Sequence, residues 1–214
     1  MELKGKKINF LGDSITEGVG TSASNKIYHQ LLKEKVGLAE ARNYGKSGTK
    51  IARLLEVTKD PFDQDFNLRA PDMDKDADVI VVFGGTNDYG HATIPLGEID
   101  NQEITTFYGG MHNLCQYLIK EYVGKTIVFM TPIHRMEEKR FAWSDKSCDL
   151  ICFVKAIREV CEYYSIPVLD MYKESGMHGN MQVWCDKYMP DGLHPNDLGH
   201  EIMAHKLQKF LENL

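Results

Sequence analysis

Residues 77–85 read Ala-Asp-Val-Ile-Val-Val-Phe-Gly-Gly, ADVIVVFGG, with an unbroken apolar run from Val79 to Phe83. A strand with one wet face alternates apolar and polar side chains, whereas a strand covered on both faces has no reason to alternate. This run therefore predicts a strand inside a parallel sheet, with helices packed above and below it. Two glycines stop it. The polar Thr86-Asn87-Asp88 that follows falls at the carboxyl end of a strand, the edge where such sheets gather their working groups.

Outward from this strand, the same pattern repeats in both directions. KKINFLG (6–12) and the shorter ARNYG (41–45) precede it, and KTIVFMTP (125–132) and PVLDMY (167–172) follow. Helical periodicity fills the gaps. KIYHQLLKEKVG (26–37) closes on Gly37, and TTFYGGMHNLCQYLIKEYVG (105–124) ends at Gly124, with Gly109 and Gly110 weakening its first turn. In residues 147–166, Leu150, Val154, Ile157, Cys161 and Tyr164 fall on one helical side. The tail from 196 to 214 offers Ile202, Met203, Leu207, Phe210 and Leu214 as a core-facing stripe. Strands alternating with helices predict a three-layer α/β/α fold. Right-handed crossovers then favour five parallel strands in the flavodoxin-like order 2-1-3-4-5. No repeat or Pro/Gly/Ser-rich linker divides the chain, so one domain is expected over residues 1–214.

Composition narrows the function. Hydrophobic residues make up 43% and charged residues 26% of the 214, ordinary for a globular protein. Acidic residues outnumber basic ones by 31 to 25, which disfavours nucleic acid as a partner. No apolar stretch approaches the ~18 residues of a membrane span, and INFL (8–11) is too short for the core of a signal peptide. A cytoplasmic protein without a membrane span is expected. The five cysteines form no C-x-x-C pair and are odd in number, which reads as reduced thiols. His91, His112, His134, His178, His200 and His205 form no H-E-x-x-H or similar zinc pattern, so neither metal nor other cofactor is expected.

The first strand ends in Gly12-Asp13-Ser14, an acid and a hydroxyl that a buried strand does not need. A serine hydroxyl is a weak nucleophile until a base takes its proton. Among eight histidines, His194 is the best placed to do so, because Asp191 precedes it by three residues in PDGLHPN (190–196). That spacing lets a carboxylate reach one imidazole nitrogen while the other faces outward, the arrangement of a serine triad. Pro190 and Pro195 bracket the turn and limit its freedom. Ester hydrolysis also creates an oxyanion that needs donors already in place. The Ser14 N–H, the Gly48 N–H in NYGKSGT (43–49) and the Asn87 amide in GGTND (84–88) are the candidates.

FLGDSITEG (10–18), GKSG (45–48), GGTND (84–88) and DGLHPND (191–197) resemble, in order, the four signature segments of the GDSL or SGNH hydrolases. The resemblance runs from near the N-terminus to the last helix. It implies the SGNH hydrolase fold, with Ser14 as nucleophile and first oxyanion donor, Gly48 and Asn87 as further donors, His194 as base and Asp191 as its partner. It also implies a carboxylic ester hydrolase, generally without metal, acting on a small-molecule ester. The further resemblance of GGTNDYGH (84–91) and TPIHR (131–135) suggests acetyl groups on carbohydrate as first substrates. A lysophospholipase, a thioesterase or a non-catalytic glycan-binding module on the same fold are the alternatives.

Plainer readings exist for each residue. Ser14 alone reads as a helix N-cap with Glu17 completing a capping box. Gly48 reads as a turn glycine, Asn87-Asp88 as a loop cap, and Asp191-His194 as a helix-entry turn. Asp13 orients the loop through backbone N–H groups or lines the pocket, and His134, just past the fourth strand, is a second pocket candidate. YGKS (44–47) lacks the glycine a P-loop requires, since that position is Glu40. No G-x-S-x-G elbow occurs, against an α/β-hydrolase fold. Connections 88–104 and 131–147 are long for such units and are expected to wall or cover the site, with Tyr89, His91, Phe141 and Trp143 as aromatic contacts there or, equally, as contacts between subunits.

Overall fold

The computed structural model describes residues 1–90, 94–138 and 148–214; His91, Phe141 and Trp143 lie outside them. The apolar run at its centre is strand β3 (Val79–Phe83), buried at every position. It pairs in parallel with β1 (Lys7–Gly12) on one side and β4 (Thr126–Met130) on the other. Strand β2 (Glu40–Gly45) extends the sheet beyond β1, and the two-residue β5 (Val168–Leu169) pairs with β4. The order is β2-β1-β3-β4-β5, as the alternation of elements predicts.

The helices run in chain order as α1 (Ser14–Glu17), α2 (Tyr28–Val36), α3 (Phe66–Arg69), α4 (Thr86–Gly90) and α5 (Phe107–Glu121). They continue as α6 (Leu150–Tyr163), α7 (Met171–Glu174), α8 (Gln182–Tyr188) and α9 (Asp197–Glu212). Alternate strand residues explain the unbroken run. Ile80 and Val82, with Leu11 and Phe129, face a core closed by α5 and α6. Val79, Val81 and Phe83, with Phe10 and Val128, face a second core closed by α2 and α9. Each strand residue thus meets a dry layer on its own side.

Local signals decide where elements end. Gly37 closes α2 in the left-handed region at φ 70°, its N–H bonded to Lys33 O. Gly109 and Gly110 weaken the start of α5 but admit close neighbours. A Cβ at Gly110 would stand 2.8 Å from Ala52 Cα, and one at Gly109 would stand 2.0 Å from Glu103 O. In α9 the expected stripe shifts at its end: Leu211 is buried and Leu214 is exposed, because the helix stops at Glu212. His112 and His200 are buried between elements. His200 Nδ1 accepts the Tyr28 N–H at 3.1 Å and joins α9 to α2.

One expectation fails. Cys148 and Cys152 form a disulfide across the entry to α6, their Cα atoms 6.0 Å apart, within reach of that bond. Cys148 lies just before the N-cap Asp149 and Cys152 in the first turn of α6, a four-residue spacing that a search for C-x-x-C overlooks. Cys115, Cys161 and Cys185 are free and buried, Cys161 within the apolar stripe of α6. No helix among the described residues is long and apolar enough to cross a membrane.

Candidate active site

The register levels the carboxyl ends of the central strands. Gly12 of β1 lies opposite Gly45 of β2 and Phe83 of β3. The residues that follow each strand, Asp13-Ser14, Lys46–Gly48 and Gly84–Asn87, therefore leave the sheet along one edge. Gly12 must be glycine for the turn to close, since a Cβ there would stand 2.0 Å from Thr16 Oγ1. Asp13, not Ser14, is the N-cap of α1; its Oδ1 accepts the Ile15 N–H at 3.0 Å. Ser14 is thereby displaced from the cap to the first helical residue, where its hydroxyl is free for another partner. Glu17 completes no capping box. Its Oε2 accepts the Ser47 N–H at 2.7 Å instead, tying α1 to the loop after β2.

The partner of Ser14 comes from the other end of the chain. His194 Nε2 lies 3.0 Å from Ser14 Oγ, and His194 Nδ1 lies 2.6 Å from Asp191 Oδ2. The three-residue spacing works because Asp191 uses both oxygens. Oδ1 accepts the N–H groups of Leu193 at 2.9 Å and His194 at 2.7 Å, which folds the turn. Oδ2 is left for the imidazole. Burial alone would raise the Asp191 carboxyl, but the His194 imidazole and these two N–H groups outweigh it and hold it below its ordinary value. Asp197, at the start of α9, accepts the Ser22 N–H at 2.8 Å and Ser22 Oγ–H at 2.6 Å. The histidine turn is thus bolted to the loop that follows α1.

Three N–H groups lack competing partners at this edge. Neither Ser14 N nor Gly48 N donates a hydrogen bond among the described residues. Gly48 sits at φ +72°, a conformation open to glycine, and packs against Phe62. Asn87 Nδ2 donates one N–H to Thr49 O at 3.0 Å, which leaves its second for a ligand. Asp88 holds the same loop from below: its carboxylate accepts the N–H groups of Ile51 and Ala52, the latter at 2.9 Å. The sequence shows Asp88 only as a loop cap; its reach to a segment more than thirty residues away is a tertiary fact.

A family model, the GDSL-like Lipase/Acylhydrolase family, matches residues 10–202. The chain belongs to that family. As a GDSL-family member it is a hydrolase of esters. Among solved structures, one is 32% identical with a TM-score of 0.86, covering 100% of this chain and 99% of the other. A protein from Lactobacillus plantarum is 30% identical with a TM-score of 0.85, and 98% of each chain is covered. An acetyl xylan esterase is 21% identical with a TM-score of 0.63, covering 96% of this chain and 99% of that one, a likeness of fold alone. No curated protein matches the chain closely enough to count as a relative.

The pocket candidates of this GDSL-family chain fare differently. Asp13 is 1% exposed and works as a cap, not as an open wall. Burial pushes its carboxyl up to about 7, with the nearby charge of Asp88 adding and that of Arg69 opposing. Burial likewise pushes Asp88 up to about 6, against the pull of the Ala52 and Ile51 N–H groups. Tyr89 is no aromatic contact at the rim: it is buried in the core, edge-on to Phe153.

His134 stands half-buried past β4, paired with Glu138 at 2.6 Å and stacked between Tyr172 and His178. His134, Glu138 and His178 are near enough to suggest a metal site. The two imidazoles, however, lie 4.1 Å apart at only 12° to one another. Imidazole lone pairs lie in the ring plane, so those of stacked rings run parallel and cannot meet at one ion with bonds of about 2.0–2.1 Å. The cluster reads as an aromatic stack with a carboxylate–imidazole pair. A cleft of about 350 Å³ lined by Tyr122, Lys125, Tyr164 and Pro167 opens at the opposite edge of the sheet and holds none of these residues.

Proposed function

We propose that the chain is a serine esterase that removes small acyl groups, acetyl first, from carbohydrate or related small-molecule esters, with no metal in its mechanism. One observation carries the reading: Ser14 Oγ, the His194 ring and Asp191 stand in line at 3.0 and 2.6 Å. In this reading His194 Nε2 takes the Ser14 proton as Oγ attacks the ester carbonyl carbon. Asp191 keeps the Nδ1 tautomer fixed and stabilises the imidazolium. The oxyanion is met by the N–H groups of Ser14 and Gly48 and by the second N–H of Asn87, donors already oriented before reaction. His194 then hands the proton to the departing alcohol. In the second half it takes a proton from water, whose oxygen attacks the acyl-enzyme and releases the acid.

The preference for small acyl groups is supported by the crowding at Gly48, where Phe62 leaves no room for a Cβ, and by the shared fold of an acetyl xylan esterase. The test is hydrolysis of 4-nitrophenyl acetate, butyrate and octanoate, together with labelling by a fluorophosphonate. Turnover should fall with chain length, and the label should mark the wild type but not Ser14→Ala. An intact protein that neither turns over these esters nor takes the label overturns the reading.

A further inference from the structure

Arg135 joins the two halves of the site. On its main-chain side, the next residue, Met136, donates its N–H to Gly192 O at 2.7 Å, inside the Asp191–His194 turn. Asn180 Nδ2 also donates to Arg135 O at 3.1 Å. On its side-chain side, Nη1 donates to Thr86 O and Thr86 Oγ1, each at 3.1 Å, one residue before Asn87. The guanidinium carbon lies 5.7 Å from the Tyr89 ring centroid, and the group packs against Gly90, where a Cβ would stand 2.5 Å from Nη1.

Among the described arginines, Arg135 alone combines the lack of a paired carboxylate with a terminal nitrogen left without an acceptor. Arg42 pairs with Glu40, Asp74 and Asp76, Arg53 with Asp65, and Arg158 with Asp170. Arg69 pairs with no carboxylate among the described residues but spends both terminal nitrogens on Gly12 O, Thr49 Oγ1 and Tyr44 O. Arg135 pairs with no carboxylate among the described residues. Its Nε is sealed from water without an acceptor, and Nη2 makes no hydrogen bond among the described residues. Of the two acids that follow it, Glu137 makes no ion pair with it, and Glu138 is already engaged by His134, the Arg135 N–H and Tyr172. Desolvating a cation without a counter-ion is costly, and a guanidinium is shaped to take a carboxylate.

We propose that Arg135 is a specificity-determining residue that selects esters bearing a carboxylate, held by its free Nη2 between Thr86 and the His194 turn. The proposal rests on the esterase reading above and adds the charge class of the substrate. Two pairs of esters test it in the wild type. Acetoxybenzoate against its methyl ester puts the charge on the alcohol side, and 4-nitrophenyl hemiadipate against 4-nitrophenyl hexanoate puts it on the acyl side.

In at least one pair the charged member should be favoured about 10-fold or more in kcat/KM, the range of a charge-assisted hydrogen bond. The split should lie mainly in KM. In Arg135→Met that ratio should fall to near one, whatever happens to the neutral rate, and Arg135→Lys should restore part of it. Equal kcat/KM within both pairs in the wild type overturns the proposal. So does a ratio that survives in Arg135→Met, which would mark Arg135 as a strut for Thr86 alone. If no ester turns over, the esterase reading fails. Titration calorimetry with 4-acetamidobenzoate, an amide that cannot act as the ester, then decides the matter: binding to the wild type lost in Arg135→Met supports the carboxylate site, and no binding to the wild type overturns it.

Discussion

The Ser14 side and the His194 side of the site are built by opposite means. Ser14 and Asn87 are only 6% and 5% exposed, and the acids that brace them, Asp13 and Asp88, are buried outright. Their positions follow from the sheet edge and from long-range bonds to Ile51, Ala52 and Thr49. On the other side, the side chains of His194 and Asp191 are 17% and 55% exposed, and the turn is folded mainly by its own carboxylate. One half is fixed by burial at the cost of unfavourable charge, the other by local hydrogen bonds at little such cost. Substitutions on the buried side should therefore disturb stability along with turnover, while those on the exposed side should disturb turnover nearly alone.

The largest effect should come from the groups that act as one unit. Ser14→Ala and His194→Ala should each lower kcat by about 10⁴–10⁶-fold, and the double variant should be little worse. Additive losses in steady-state assays with 4-nitrophenyl butyrate would mean the two halves work independently. Asp191→Asn should cost up to about 10⁴-fold by favouring the wrong tautomer, with a thermal midpoint close to wild type. A large drop in that midpoint would show that the exposed turn is a stability element after all. Asn87→Ala should lower kcat by about 10²–10³-fold. Because the same amide holds Thr49 O, it should also lower the urea midpoint, in contrast to Asp191→Asn.

The smallest effect sharpens the contrast through pH. The Asp13 carboxyl is raised from 3.8 to about 7, chiefly by burial. A group raised on folding favours the native state below its unfolded value and loses that advantage as pH rises through the folded one. Wild-type stability should thus decline between about pH 4 and pH 7. Asn also serves as an N-cap, so Asp13→Asn should keep the cap and reduce the decline to the part that Asp88, raised to about 6, still contributes, with a gain of about 2–4 kcal/mol at pH 8. Urea titrations at pH 4.5 and pH 8 that show the same difference for both proteins would remove Asp13 as the source.

Most of this architecture is legible in the sequence where the physics is local. The run from Val79 to Phe83 announces a doubly covered strand because each side chain meets a dry layer, and Gly37 announces a helix end because few residues tolerate its φ. Short elements are harder. Strand β5 has two residues and α4 five, too few to set up a period. A shift of one residue was enough to confuse the cap of α1, since Asp13 and Ser14 are both good caps. What the sequence hides is tertiary. Neither the Asp88 bonds to Ile51 and Ala52 nor the union of Cys148 with Cys152 leaves a periodic trace. Arg135 is least legible of all, because its interest lies in the partners it lacks.

The bond between Ser14 and His194 spans 180 positions of chain. During synthesis the hydroxyl leaves the ribosome 180 residues before the imidazole. Until α9 docks on α2 through His200 and Tyr28, nothing holds the His194 imidazole beside that hydroxyl. Under the proposed mechanism, polypeptide still under assembly is inert toward the esters around it, and the power to cleave them arrives only once the His194 turn is in place.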